Sequence, residues 1–118
     1  MIDKFTKESL LFDFYGELLS NRKKQVMELY YSEDLSLSEI ADQFGISKSS
    51  VHESLKSAEK SLAEYEEKLG MMKKYFKRAE TKNSINKIIN QVQEEGKGDK
   101  KLLEEMDHIK KLLDDLDG

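Results

Sequence analysis

The sequence predicts an all-α protein: a helix-turn-helix bundle, then a long extended helix and C-terminal helices. Three observations carry that reading. Proline is absent and Gly numbers only 6, while Lys, Glu and Leu abound, a composition that favours helix throughout. Apolar residues recur at intervals of three and four, the helical period, and no stretch shows the alternation of a strand. Finally, residues 36–62 contain two helix starts separated by a glycine turn.

Taken in order, Thr6 and Ser9 offer caps for a first helix reaching about Leu19. Its Leu10, Leu11, Phe14 and Leu18, flanked by Phe12 and Tyr15, form a stripe too wide for a helix alone in water. Ser20 and Asn21 read as a break and a new cap. The second helix then runs from about Arg22 to Tyr31, with Val26, Met27, Leu29, Tyr30 and Tyr31 apolar, and residues 32–35 form a polar loop. Ser36 with Glu39 is a capping box, in which each side chain satisfies an orphan backbone N–H, so a third helix starts at Leu37. Gly45 supplies the positive φ of a tight turn, and Ser47 caps a fourth helix. Between these caps Ile40, Phe44, Ile46 and Val51 make one small core, and Ala41 lets the helices cross closely.

From Val51 onward, Leu55, Ala58, Leu62, Tyr65, Leu69, Met72 and Phe76 follow at alternating steps of four and three, a heptad seam. The fourth helix is therefore expected to run past Gly70 through Phe76. A seam of this length packs either on the chain's own helices or on a second copy, and spacing does not separate the two. A further helix is expected over 81–95, with Ile85, Ile88, Ile89 and Val92 on one face. Residues 96–98, Gly-Lys-Gly, lack the preceding strand and the spacing of a phosphate loop and read as a turn. A last helix over 99–116 carries a second seam, Leu102, Met106, Ile109, Leu113 and Leu116, while Asp114, Asp115 and Asp117 oppose its dipole and predict fraying. The chain thus divides into a helix-turn-helix domain, 1–62, and a helical extension, 63–118, that packs back or dimerises.

Composition narrows function. Of 118 residues, 37% are hydrophobic and 37% charged, which suits exposed amphipathic helices, and the net charge of −4 gives a nucleic acid no help from the overall field. With no cysteine there is neither a disulfide framework nor a thiolate metal site. The N-terminus lacks the apolar run of a signal peptide and no stretch is long and apolar enough for a bilayer, so a cytoplasmic protein without membrane insertion is expected. His52 and His108 lie on separate segments without metal-ligand spacing, and no catalytic motif is present; a non-enzymatic protein without metal or cofactor is expected.

The exposed first turns of the fourth helix are the candidate site: Ser47, Lys48, Ser49, Ser50, His52, Glu53 and Lys56. The lysines could reach phosphates, and the serines and His52 base edges. Arg, Asn and Gln, which make bidentate base contacts, are missing from this face. Two further basic clusters, Arg22-Lys23-Lys24 and Lys73, Lys74, Lys77 and Arg78, form a secondary patch. DNA, RNA and protein all remain open as ligands, and a homodimer through Leu55, Ala58, Leu62, Tyr65, Leu69, Met72 and Phe76 is the companion possibility.

Two resemblances bear on these alternatives. Residues 37–62, with Ile40-Ala41, Phe44-Gly45-Ile46-Ser47 and Val51 in order, resemble region four of sigma-70-type factors. Leu11-Phe12-Asp13-Phe14-Tyr15, Leu29-Tyr30-Tyr31 with Asp34, Ser36 through Ala41, Phe44 through Ser47 and Tyr65-Glu66-Glu67-Lys68-Leu69 together are similar to the YlxM family of small bacterial proteins. The resemblance covers about residues 10–80. It implies a helical, cytoplasmic, non-enzymatic protein that assists or regulates the signal recognition particle pathway, binding the particle's RNA or protein. A dimeric DNA-binding transcription regulator is the alternative.

Overall fold

The described residues, 2–116 of a computed structural model, form six α-helices and no strand. They fall into two compact units, the first ending at Lys73 and the second beginning at Lys74.

In the first unit α1 spans Lys4–Tyr15, and its cap is Asp3 rather than Thr6 or Ser9: the Asp3 carboxylate accepts from the Thr6 N–H at 2.7 Å. A 3-10 turn, Gly16–Leu18, follows, and α2 occupies Asn21–Met27. Residues Glu28–Ser32, expected to prolong that helix, form a π-helical turn instead. The helix-turn-helix then appears where its caps place it. α3 spans Leu37–Phe44; Ser36 Oγ accepts from the Glu39 N–H and Glu39 Oε1 accepts from the Ser36 N–H, each at 3.1 Å. Those bonds from Ser36 hold the Glu39 carboxyl below the ordinary glutamate value. Gly45 has φ 65°, and Ser47 Oγ accepts from the Ser50 N–H at 3.1 Å to start α4.

One core joins these helices. Leu11 and Tyr15 of α1, Val26 and Met27 of α2, Ile40 and Ala41 of α3, and Val51, Leu55, Ala58 and Leu62 of α4 are all buried, with Phe44 and Ile46 half-buried at the edge. Removing each large apolar side chain from water is worth about 1.5–3 kcal/mol, so this cluster is the main term holding the unit together. Leu55, Ala58 and Leu62 thus pack inside the chain's own bundle and offer nothing to a second copy.

The fourth helix does not run on to Phe76. α4 covers Lys48–Leu69 and stops at Gly70, whose φ of 60° is the left-handed C-cap conformation and whose N–H donates to the Glu66 carbonyl at 2.8 Å. α5, Met71–Glu95, begins at once and continues through residue 81, where a separate helix was expected to start. The restart has a cause. Glu66 presents its carboxylate to the new helix, accepting from the N–H of Met72 at 2.9 Å and of Lys73 at 3.1 Å. The Tyr15 hydroxyl accepts from the Met71 N–H at 3.0 Å and donates to Glu66 Oε1 at 2.7 Å. Three of the four orphan donors of a helix start are satisfied this way. Helix continued through a glycine would gain no such partners and would carry glycine's entropic cost. Tyr65 and Met72 pack against the first core, whereas Leu69 and Phe76 are exposed. The first unit consequently extends past the 62/63 boundary read from the sequence.

The second unit is a helical hairpin. The remainder of α5 turns at residues 96–98 into α6, Lys100–Asp115, which is capped by Asp99 accepting from the Leu102 N–H at 3.1 Å. Gln93 Nε2 donates to Asp107 Oδ1 at 3.0 Å, and Lys82 meets Asp114 at 3.0 Å. Of the acids expected to fray the end, Asp114 therefore has a cationic partner, and Asp117 lies outside the described residues.

Candidate nucleic-acid interface

The α4 face is built by its cap and its phase. Val51 and Leu55 point into the core, which turns Lys48, His52 and Lys56, spaced four apart, and Ser49 and Glu53 beside them, to the surface. With Leu37 of α3, Lys48, Ser49, His52 and Glu53 frame an open depression of about 400 Å³. The seven residues chosen from the sequence do not act alike. Ser47 accepts from the Ser50 N–H, and its hydroxyl donates to Ser50 Oγ at 2.9 Å, so both hydroxyls serve the cap. Ser49 alone presents an exposed serine on the first turn outside that pair. Lys56 faces Glu59 Oε1 at 3.6 Å, which also draws Lys4 to 3.8 Å. Lys48 is thus the lysine at the start of this face, with the His52 imidazole one turn further along.

The basic run at the start of α2 does not act as one patch. The Arg22 guanidinium lies 4.5 Å from the centre of the Phe44 ring, the last residue of α3, a cation–π contact that holds it beside the Gly45 turn. Lys24 instead pairs with Glu17 at 2.6 Å. Of the other cluster, Lys73 belongs to the first unit, where Glu66 accepts its N–H, and Lys74, Lys77 and Arg78 belong to the second.

Sequence reading missed the acidic side of this surface. Tyr31 donates to Glu59 Oε2 at 3.0 Å, and burial together with that carboxylate pushes the phenol well above the ordinary tyrosine value. Glu8 lies in the same neighbourhood with one carboxylate oxygen buried and without a hydrogen-bond partner; burial first, then the Glu59 charge, raises its carboxyl. Glu59 was detectable as an i+3 partner of Lys56, but nothing local announced Tyr31 or Glu8.

Charge divides unevenly between the units. Residues 1–73 hold ten basic and fourteen acidic side chains, and residues 74–118 hold ten of each, so the whole −4 sits with the helix-turn-helix. Among the described residues no group of three or more His, Cys, Asp or Glu could hold a metal, and no helix is long and apolar enough to cross a membrane.

A capping box, a left-handed Gly45 turn and an exposed cap-started second helix are the geometry of a helix-turn-helix. The family model described as "Putative helix-turn-helix protein, YlxM / p13 like" matches residues 2–109. The chain belongs to the UPF0122 family. A UPF0122 protein of Desulforamulus reducens is 41% identical over 113 residues, 94% of each chain. One from Listeria welshimeri is 47% identical over 78 residues, 66% of this chain and 71% of the relative. Another, from Bacillus velezensis, is 40% identical over 96 residues, 81% and 87% of the two chains. The all-α fold and the YlxM resemblance read from the sequence both hold in this family assignment.

Proposed function

We propose that this UPF0122 protein is a non-enzymatic cytoplasmic accessory factor of the signal recognition particle pathway, docking on the particle's RNA or protein through the α3–α4 surface. The observation that carries the reading is the mismatch between that surface and a DNA reader's. The first turns of α4 expose Lys48, Ser49, His52 and Glu53, with no Arg, Asn or Gln to pair bidentately with a base, and the unit around them has four more acids than bases. Non-specific capture of duplex DNA depends on cationic surplus, which this unit lacks. The resemblance to YlxM supplies the pathway. A second reading, a dimeric DNA-binding regulator, draws on the helix-turn-helix geometry and on Arg22 held beside the turn.

The decisive experiment is recovery of the tagged protein from bacterial lysate, with and without nuclease, and identification of protein, RNA and DNA. A discrete promoter fragment without particle RNA or protein overturns the first reading. Against the recovered nucleic acid, Lys48→Glu weakens binding and lowers the slope of log K against log salt by about one per lost phosphate contact. Lys56→Glu does so less, because Glu59 already faces Lys56. Identical slopes in wild type and Lys48→Glu move the contact off α4.

A further inference from the structure

The hairpin formed by residues 74–116 has too little interior to stand as a two-helix unit. Among its described residues only Ile89 is buried. Ile88, Leu112 and Leu116 are 61%, 53% and 71% exposed, and Ile109 and Leu112 of α6 and Leu116 just past its end follow at steps of three and four. Helices in water owe most of their stability to a covered apolar face, and this hairpin lies close to the size of about 40 residues below which a metal, a disulfide or association is usually needed. This chain has no cysteine.

Charge identifies what completes it. At the open end, residues 74–82 carry Lys74, Lys77, Arg78 and Lys82 against Glu80 alone, and the neighbouring stretch of α6, residues 108–115, is balanced. At the turn end, residues 94–107 carry six acids and three lysines. The hairpin is therefore electrically polar along its length, basic at one end and acidic at the other. Two such hairpins side by side in parallel repel at both ends; antiparallel, they attract at both. The exposed Ile88 of α5 and Ile109 of α6 supply apolar surface away from the charged ends, of the kind an isologous contact buries. An apolar groove between α5 and α6 at the basic end, about 370 Å³ and floored by Ile85, Leu113 and Leu116, would lie against the acidic turn end of the other copy.

We propose that residues 74–116 pair antiparallel with the same segment of a second copy, closing a four-helix bundle in which each basic open end lies on the other's acidic turn end. The surface differs from the Leu55–Ala58–Leu62 seam, which is inside the first core, and the proposal stands whichever ligand the first unit binds.

Sedimentation equilibrium of the full chain, without nucleic acid, tests it. Wild type is expected at twice 13.7 kDa at micromolar concentration. Ile88→Asp with Leu112→Asp, both exposed in the single chain, should raise the dimer dissociation constant at least about a hundredfold, as charging two buried apolar contacts of an interface does. A triple variant, Lys74→Glu, Lys77→Glu and Arg78→Glu, should weaken its own dimer, as should Glu94→Lys, Glu95→Lys and Glu104→Lys. Mixed, the two triple variants should restore a dimer at near wild-type concentration. A monomeric wild type overturns the proposal, as does a dimer that survives Ile88→Asp with Leu112→Asp. A first triple variant that dimerises as well as wild type overturns the antiparallel arrangement, because parallel hairpins already set basic end on basic end.

Discussion

Replacing Tyr15 with Phe removes one oxygen from the centre of the first unit and nothing else, since the ring keeps its buried place. That oxygen donates to Glu66 at 2.7 Å and accepts from the Met71 N–H at 3.0 Å. A hydrogen bond to a charged group contributes about 1.5–3 kcal/mol, and a stranded helix-start donor adds to the loss, so Tyr15→Phe should cost about 2–3 kcal/mol. For a unit of this size that lowers the melting temperature by roughly 10–20 °C. Urea and thermal unfolding followed by circular dichroism at pH 7 measure it, and Glu66→Gln completes a double-mutant cycle. The pH dependence follows from Glu66. Burial, the largest single influence, raises its carboxyl, but the Tyr15 hydroxyl, the N–H groups of Met72 and Lys73 and the Lys7 charge together outweigh it and leave the carboxyl below its ordinary value. A lowered folded value makes the contribution full above about pH 4.3 and lost as pH falls through the lowered value. The gap between wild type and Tyr15→Phe should therefore hold from neutral pH to about 5 and narrow below about 4. A gap under about 0.5 kcal/mol at pH 7, the size of an ordinary surface change, or one that widens in acid, refutes the latch.

Other substitutions test separate parts of the fold. Gly45→Ala and Gly70→Ala force a side chain into the left-handed region at φ 65° and 60°, with nothing within 4 Å to clash, so each should cost about 1–2 kcal/mol in urea unfolding from backbone strain alone. Glu8→Gln should raise the melting temperature at neutral pH, because it removes a carboxylate that burial and the Glu59 charge disfavour; protonation of Glu8 in the folded state means the advantage fades as pH falls. Leu62→Ala, at a fully buried position, should cost about 2–5 kcal/mol while leaving the sedimenting mass unchanged.

What could be read from the sequence was what is decided within a few residues. Ser36, Glu39, Gly45 and Ser47 each act on a backbone group no more than four positions away, so both caps and the turn were visible without a structure. The exposed phase of Lys48, His52 and Lys56 followed from Val51 and Leu55 for the same reason. The misread places were settled at long range. A seven-residue period runs straight through Gly70, and only Tyr15, some fifty residues earlier in the chain, shows why the helix stops and restarts there. The same holds for Arg22 on Phe44, while Lys24 reaches seven residues back to Glu17, outside helical spacing; together they divide a run that reads as one cluster. Asp3, Thr6 and Ser9 are all favoured cap residue types, and the bond from the Thr6 N–H to the Asp3 carboxylate decides among them.

The shared carboxylate of Glu66 has a dynamic meaning. First-turn amides of a helix ordinarily exchange with solvent almost freely, since no carbonyl precedes them to accept their hydrogens. In α5 the amides of Met71, Met72 and Lys73 all have acceptors, and those acceptors belong to a buried tyrosine and to the last turns of α4. Their exchange is thereby tied to the opening of the α1–α4 core rather than to fraying of their own helix. The start of one helix becomes part of the slowest-opening region of another, and α4 cannot lose its final turns without releasing the helix that follows it.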